Sequence, residues 1–160
     1  MERGTTLFLR AAVILIGIPV LALCIFAVPE IAEFAAELYP DMTSIRYLVL
    51  IDLYASAIPF YFALYQAFIL LGYIDKNKAF SELSVQVLKK IKYSAFTISV
   101  LYVAGLPLFY LMADMDDAPG IIVIGLIIIF ASMVIAVFAA VLQKLLKEAI
   151  EIKSENDLTV

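Results

Sequence analysis

The sequence has no histidine, one cysteine and few charged residues, and each shortage narrows the range of functions. Without histidine the chain lacks the commonest general base and the commonest imidazole metal ligand, so catalysis or zinc binding would need less usual groups. A single cysteine, Cys24, cannot form an intrachain disulfide. Charged residues make up 16% of the chain and apolar residues 65%, whereas a soluble domain has roughly a quarter and a half. This balance predicts a protein whose surface mostly faces lipid.

Four apolar stretches are long enough to cross a bilayer as helices. The hydrocarbon core is about 30 Å thick, so a helix that rises about 1.5 Å per residue needs roughly 20 residues. The sequence contains no Pro/Gly/Ser-rich linker and predicts one membrane domain, an all-α, integral membrane four-helix bundle. The predicted spans are about 11–28, 45–74, 94–113 and 120–142, joined by segments 29–44, 75–92 and 114–119, with an amphipathic cytoplasmic extension at 143–153 and a tail at 154–160.

The basic residues predict the orientation, because lysine and arginine collect in the cytoplasmic loops of membrane proteins. Arg46 alone falls on the outward side, at the start of the second span, whereas every other lysine and arginine falls near the chain ends or in the middle loop. Both termini are therefore predicted to be cytoplasmic. The basic start and apolar stretch of residues 1–28 are interpreted as a membrane span, since an acidic segment with Pro29 follows instead of a small-residue cleavage site.

The second span carries a polar stripe. Asp52, Ser56 and Gln66 lie on one helical face, and a carboxylate at a bilayer centre costs about 2.5 to 3.5 kcal/mol, so we expect this face to meet protein. Arg46 lies six residues from Asp52, and its long side chain can bend toward the carboxylate. The stripe has two interpretations: a proton- or ion-responsive intramembrane site, or a hydrogen-bonded clamp between helices.

Prolines and small residues predict how the helices pack. Proline removes a backbone donor and clashes with the preceding turn, so kinks are expected at Pro19, Pro59 and Pro107, which either shape a cavity or act as passive bends. In the last span Ser132, Ala136 and Ala140 form a stripe of small side chains. Such a stripe is typical of a contact face inside a bundle or of a dimer seam.

The loop before the third span predicts a cytoplasmic surface. Ser81 stands where it can cap a helix that begins near Glu82, and Phe80 precedes it. Three lysines follow in the first turns of that helix, Lys89, Lys90 and Lys92. They are suited to anchoring on anionic lipid headgroups, or alternatively to binding a soluble partner.

Motifs for cofactors or catalysis are not found. Residues 114–120 resemble the start of a calcium loop, yet Gly125 stands where a bidentate glutamate belongs. The sequence shows no phosphate-binding glycine loop, nucleophile elbow or paired-cysteine motif. We therefore predict no catalytic residue, no metal, no cofactor and no direct binding of nucleic acid.

The segment Asp75-Lys76-Asn77-Lys78-Ala79-Phe80-Ser81 and the closing residues 155–160 resemble the YoaS-like family of small bacterial membrane proteins, and the similarity extends over essentially the whole length. The resemblance implies a four-span protein of the bacterial plasma membrane and supplies no reaction. Family members are often encoded beside a small helix-turn-helix regulator, which implies such a regulator as a partner of the cytoplasmic face. The residues it singles out are Phe80, Ser81, Glu155, Asn156, Asp157 and Leu158.

The residues therefore favour a non-enzymatic membrane protein that binds a cytoplasmic partner or senses the lipid bilayer. The alternative is a small transporter or an ion or proton channel that uses the polar stripe on the second span. A membrane-embedded enzyme ranks third, because no paired acid and base are visible. Assembly into a homo-oligomer is a further hypothesis.

Overall fold

The structure, a computed structural model, describes residues 3–158 and is all-α over that range. Four helical segments are long and apolar enough to cross a membrane: Gly4–Leu38, Ile45–Asp75, Glu82–Asp116 and Gly120–Leu158. The predicted four-span, all-α fold is thus confirmed. Met1, Glu2, Thr159 and Val160 lie outside the described residues, and the last two belong to the predicted tail. We label the helices α1 (Arg3–Ala22), α2 (Val28–Leu38), α3 (Ile45–Asp75), α4 (Glu82–Asp116) and α5 (Gly120–Leu158).

The first span differs from its prediction, because the helix does not stop at Val28. One π-helical turn, Leu23–Ala27, joins α1 to α2, and α2 continues to Leu38 through a segment predicted to be a connection. Pro29 explains the wider turn, since its ring would clash with the carbonyl group of Ile25 in a regular α-helix. The connection between the first two spans is therefore confined to residues 39–44.

The last two helices are much longer than a bilayer is thick. α4 has 35 residues and α5 has 39, which correspond to about 52 Å and 58 Å, against a hydrocarbon core of about 30 Å. A tight turn at Asp117–Pro119 joins them: Asp117 has a left-handed backbone with φ 51°, and the Ala118 N–H donates to the Ala113 carbonyl at 2.9 Å. Their surplus length therefore extends at the opposite end, beside Glu82 and Leu158.

The molecule has a basic end and an acidic end. The basic end comprises Arg10, the end of α3, the start of α4 and the end of α5. The acidic end comprises the end of α2, the start of α3 and the α4–α5 turn.

The start of α4 agrees with its prediction. α4 begins at Glu82, as predicted, with Ser81 in an extended conformation before it. The Ser81 hydroxyl donates to the Lys78 carbonyl and makes no capping bond to α4. The predicted side-chain cap is therefore wrong, although the predicted helix start is correct.

The helices pack in chain order, so the bundle is open. α1 packs on α3, α3 on α4, and α4 on α5, while α2 packs on α3 and touches α4. Within residues 3–158, α5 makes no comparable contact with α1 or α3. The main buried cluster lies at the acidic end, where α2, α3 and α4 meet; its buried side chains are Ala32, Ala35, Ile45, Val49, Phe109 and Met112. Most other large apolar side chains are exposed, as expected for helices surrounded by lipid.

The small residues of α5 form an internal contact face. Ser132, Ala136 and Ala139 are buried, whereas Ala140 is only partly buried. α4 is the helix on which α5 packs, so this burial comes from α4. The Ser99 hydroxyl of α4 donates to the Ile129 carbonyl of α5 at 3.2 Å, which joins the two helices along the same face.

Candidate functional site

The Asp52 carboxylate lies at the contact between α3 and α4, against the backbone of Gly105. A Cβ atom built on Gly105 would overlap the Asp52 carboxylate and lie 2.9 Å from its Cγ. The Oδ2 atom of Asp52 is buried and has no hydrogen-bond partner. Glycine at residue 105 therefore provides the space for this carboxyl group, and the group itself is only half-buried because its other atoms reach the helix surface.

Ser56 and Tyr102 complete this cluster. Ser56 is one turn from Asp52 and buried, and its hydroxyl donates to the Leu53 carbonyl at 2.8 Å. The Tyr102 side chain of α4 lies near Ser56 and within electrostatic range of Asp52. Asp52, Ser56, Tyr102 and Gly105 together form what we call the Asp52 cluster.

The two other members of the predicted polar site lie elsewhere. Gln66 is buried on α3 with its Oε1 atom unpartnered, but it follows Ser56 by ten residues, or about 15 Å along the helix. Arg46 donates to Glu33 at 2.8 Å and so binds the end of α2, not Asp52. The structure therefore separates the four predicted residues into the Asp52 cluster, a buried amide near the basic end and an exposed ion pair at the acidic end.

The π-helical turn also contacts α3, through a tyrosine. The Tyr54 hydroxyl donates to the Cys24 carbonyl at 2.9 Å. That carbonyl lacks its usual helical donor, because the Val28 N–H bonds to Leu23 and the next residue, Pro29, has no N–H. Tyr54 thus satisfies an acceptor that the π turn leaves open. Pro29 is the sequence signal for this turn, although residues 29–44 as a whole predict a connection.

A second tyrosine joins α3 to α1. The Tyr61 hydroxyl donates to the Gly17 carbonyl at 2.7 Å, and Tyr61, Tyr65 and Phe68 line a surface groove of about 330 Å³ between the two helices. At the basic end of this groove, Arg10 forms an ion pair with Asp75 at 3.3 Å, and its guanidinium lies 5.9 Å from the centre of the Phe68 ring. The sequence carries no signal for this ion pair, because Arg10 and Asp75 lie 65 residues apart and Arg10 contributes only to the predicted orientation.

The three predicted kink sites lie inside continuous helices: Pro19 in α1, Pro59 in α3 and Pro107 in α4. Pro59 lines a groove between α3 and α4, whereas Pro19 and Pro107 are exposed. The wider turn occurs at a fourth proline, Pro29.

The predicted cytoplasmic residues lie at the basic end. Lys89 and Lys90 are exposed, whereas the Lys92 Nζ donates to the Gln143 Oε1 of α5 at 3.2 Å and lies 4.7 Å from the centre of the Tyr93 ring. Phe80 is 59% exposed. Residues 155–158, predicted to be a tail, are instead the exposed last turn of α5. Phe80 and this turn therefore lie at the same end of the molecule as the lysines.

Residues 3–158 contain no group of three or more cysteine, aspartate or glutamate residues arranged to hold a metal ion. The acidic residues of the α4–α5 turn, Asp114, Asp116 and Asp117, are exposed.

Comparisons with known proteins find a family and a relative. A family model described as "Protein of unknown function (DUF2975)" matches residues 30–160. The chain is 74% identical, over 160 residues and the full length of both proteins, to a protein of Bacillus subtilis (strain 168) described as "Uncharacterized membrane protein YoaS". No solved structure matches the chain.

Proposed function

This chain belongs to the DUF2975 family, and from that premise we propose that it is a non-enzymatic membrane protein whose basic end binds a soluble partner in the cytoplasm. The observation that carries the proposal is the surplus length of α4 and α5, because a helix longer than the bilayer must extend into water at one end. Their joining turn keeps the other ends together, so the surplus of both helices lies at the basic end.

The extending part of α5 presents an apolar surface to its surroundings. Leu145 is 55% exposed and Ile152 59%, and Leu158 in the last turn is 83% exposed. Leu83 in the first turn of α4 and Phe80 just before that helix are likewise more than 45% exposed. Exposed apolar side chains outside the hydrocarbon layer mark surfaces for protein or membrane contact. A soluble partner with a helical groove or face fits the last turns of α5, where the apolar residues alternate with charged ones.

The cytoplasmic location rests on the lysines, since Lys76, Lys78, Lys89, Lys90, Lys144 and Lys147 all belong to this end. Resemblance to the YoaS-like family suggests a small helix-turn-helix regulator as the partner. Both termini are proposed to be on the same, cytoplasmic side, in the plasma membrane of a bacterium.

The test is site-specific photo-crosslinking in cells that express the full chain and the neighbouring helix-turn-helix regulator. A crosslinking residue at Ile152 or Leu158 should form an adduct with the regulator. The matched control is Met115, which is 55% exposed at the acidic end and should form none. Equal adducts at all three residues, or no adduct at Ile152 and Leu158, would contradict the proposal. Deletion of residues 154–160 should also weaken capture of the regulator while leaving membrane insertion intact.

A second function, transport of protons or ions, is favoured by one observation, the unpartnered Oδ2 atom of Asp52. An ionisable group inside a membrane span is costly, so a functional role is the usual hypothesis. The contact with Gly105 and Tyr102 equally suits a clamp between α3 and α4. A flux measurement, described in the Discussion, distinguishes the two.

A further inference from the structure

The groove between α3 and α4 is the larger of the two surface grooves described, with a volume of about 530 Å³. Its walls are formed by Ala55, Ile58, Pro59 and Phe62 of α3 and by Tyr93, Ser94 and Thr97 of α4. Ile58 is 73% exposed, and Phe62 and Tyr93 are also exposed, so the groove opens sideways toward the lipid. One cation, Lys90, also lines it.

The length of this groove matches one leaflet of a bilayer. Asp52 lies opposite Gly105 in the antiparallel helices α3 and α4, so Ala55, three residues further along α3, lies near the level of Tyr102. Lys90 precedes Tyr102 by twelve residues of α4, which correspond to about 18 Å along the helix axis. Half of the hydrocarbon core is about 15 Å. The groove is therefore about as long as one leaflet is thick, and Lys90 lies at the end nearer the start of α4.

The Lys90 ammonium is not neutralised by an ion pair. Neither of the ion pairs described, Arg10–Asp75 and Arg46–Glu33, involves Lys90. The nearest acidic residue of α4, Glu82, precedes Lys90 by eight residues, or about 12 Å. Lys92, two residues further on, does not line the groove and donates to Gln143 of α5. An anionic group at the mouth of the groove would therefore meet the Lys90 ammonium and no nearby carboxylate of α4.

We propose that this groove is a binding site for an anionic phospholipid, with an acyl chain against Pro59 and Phe62 and the phosphate at Lys90. A free phosphate ion would bind the Lys90 ammonium but leave the apolar walls of the groove uncovered. A phospholipid binds the ammonium through its phosphate and covers the apolar walls with an acyl chain. A second copy of the chain could cover the apolar walls, but it offers no reason for a leaflet-deep groove that ends at a cation. The site is independent of the partner surface on α5, so either proposal can fail alone.

Native mass spectrometry of the full chain, released from detergent with added lipid, tests the site. Phosphatidylglycerol and phosphatidylcholine with identical acyl chains serve as probes. A lysine near the membrane surface favours an anionic lipid by about fivefold, so we expect roughly that preference for phosphatidylglycerol. Lys90→Gln should remove most of it. Lys89→Gln, which deletes an exposed lysine that does not line the groove, should leave it unchanged.

A third variant tests the apolar part of the groove. Thr97 is exposed on the groove wall, so Thr97→Trp fills the groove without altering a buried side chain, and retention of both lipids should fall severalfold. Helix content measured by circular dichroism shows whether each variant folds, and if Thr97→Trp does not, the comparison of the two lysine variants decides. The proposal is overturned by equal losses in Lys89→Gln and Lys90→Gln, by the lack of a headgroup preference, by unchanged retention in folded Thr97→Trp, or by a dimer mass in place of bound lipid.

Discussion

The Asp52 carboxylate and the Gly105 backbone are in direct contact across the α3–α4 interface, and this contact leaves no room for a side chain at residue 105. This relationship explains why an ionisable group and a glycine occur at the same level of two membrane helices. Because the carboxyl group occupies the space beside Gly105, changes at either residue should affect the other.

Gly105→Ala should destabilise the protein by about 1 to 3 kcal/mol, because the added methyl group would overlap the Asp52 carboxylate. Thermal unfolding in detergent measures the change. Gly120→Ala is the matched control, since a Cβ atom there meets nothing within 4 Å. In an Asp52→Ala background the cost of Gly105→Ala should fall sharply, as a double-mutant cycle reports. Additive effects of the two substitutions would show that the contact is not responsible.

Asp52→Asn should separate the two interpretations of the Asp52 cluster. If the cluster conducts protons or ions, purified protein in liposomes should produce a flux that this substitution reduces at least tenfold, since asparagine does not exchange a proton. Ser132→Ala, a substitution of similar size at the α4–α5 contact, is the control for general packing effects. Flux that survives Asp52→Asn removes the residue from the mechanism, and lack of flux in the unmodified chain removes the transport hypothesis.

Tyr54→Phe should destabilise the protein by about 1 kcal/mol, the usual net value of a hydrogen bond, because it leaves the Cys24 carbonyl without a donor. Tyr65→Phe, at a tyrosine that is 63% exposed, should cost much less. Pro29→Ala supplies a backbone N–H next to the π turn and should reduce the cost of Tyr54→Phe. Circular dichroism during thermal unfolding measures all three changes. An undiminished cost in the Pro29→Ala background would refute our account of the turn.

The two ion pairs should differ in strength. Arg10 and Asp75 are 33% and 24% exposed, whereas Arg46 and Glu33 are 42% and 58% exposed. Arg46→Gln should therefore cost at most about 1 kcal/mol. Arg10→Gln should cost more, about 1 to 3 kcal/mol, because it also removes the contact with Phe68 and leaves a partly buried carboxylate. Chemical unfolding in mixed detergent measures the free-energy cost of each substitution. A larger cost for Arg46→Gln than for Arg10→Gln would show that burial does not set the strength of these ion pairs.

The orientation can be tested with single cysteines in a chain that carries Cys24→Ala. The exposed residues Glu37, Lys89, Asp116 and Asp157 are suitable sites, whereas Ala35 and Val85 at nearby levels are buried and would label poorly. A membrane-impermeant maleimide should label residues 37 and 116 in intact cells, and residues 89 and 157 only after lysis. The opposite pattern would place the basic end outside.

The sequence predicted the number of spans, the start of α4 and the helical extension of α5, because these follow from apolar length, a serine before a helix and charge spacing. It did not predict that α2 continues past Pro29. Composition alone suggested a connection there, and the π turn that accommodates the proline depends on Tyr54 from another helix. Local patterns reveal elements, but they do not reveal which helix supplies a missing hydrogen bond.

The polar site shows the same limit. Helical spacing correctly placed Asp52 and Ser56 on one buried face, but it also grouped them with Gln66, which is about 21 Å from Asp52 along α3. Tyr102 and Gly105 could not be assigned to the cluster, because the register of α4 against α3 is set by packing. Arg46 binds Glu33 and not Asp52, because α2 is helical and brings the Glu33 carboxylate to the start of α3.

The chain-order packing of the helices has a consequence for how the protein is made. Each helix that leaves the ribosome finds its packing partner already synthesised, since α3 meets α1, α4 meets α3 and α5 meets α4. Contacts between neighbours in sequence favour rapid assembly, and no early helix has to wait for the C-terminal one. Biogenesis can thus proceed stepwise in the bilayer, with a complete lateral surface available to lipids at every stage.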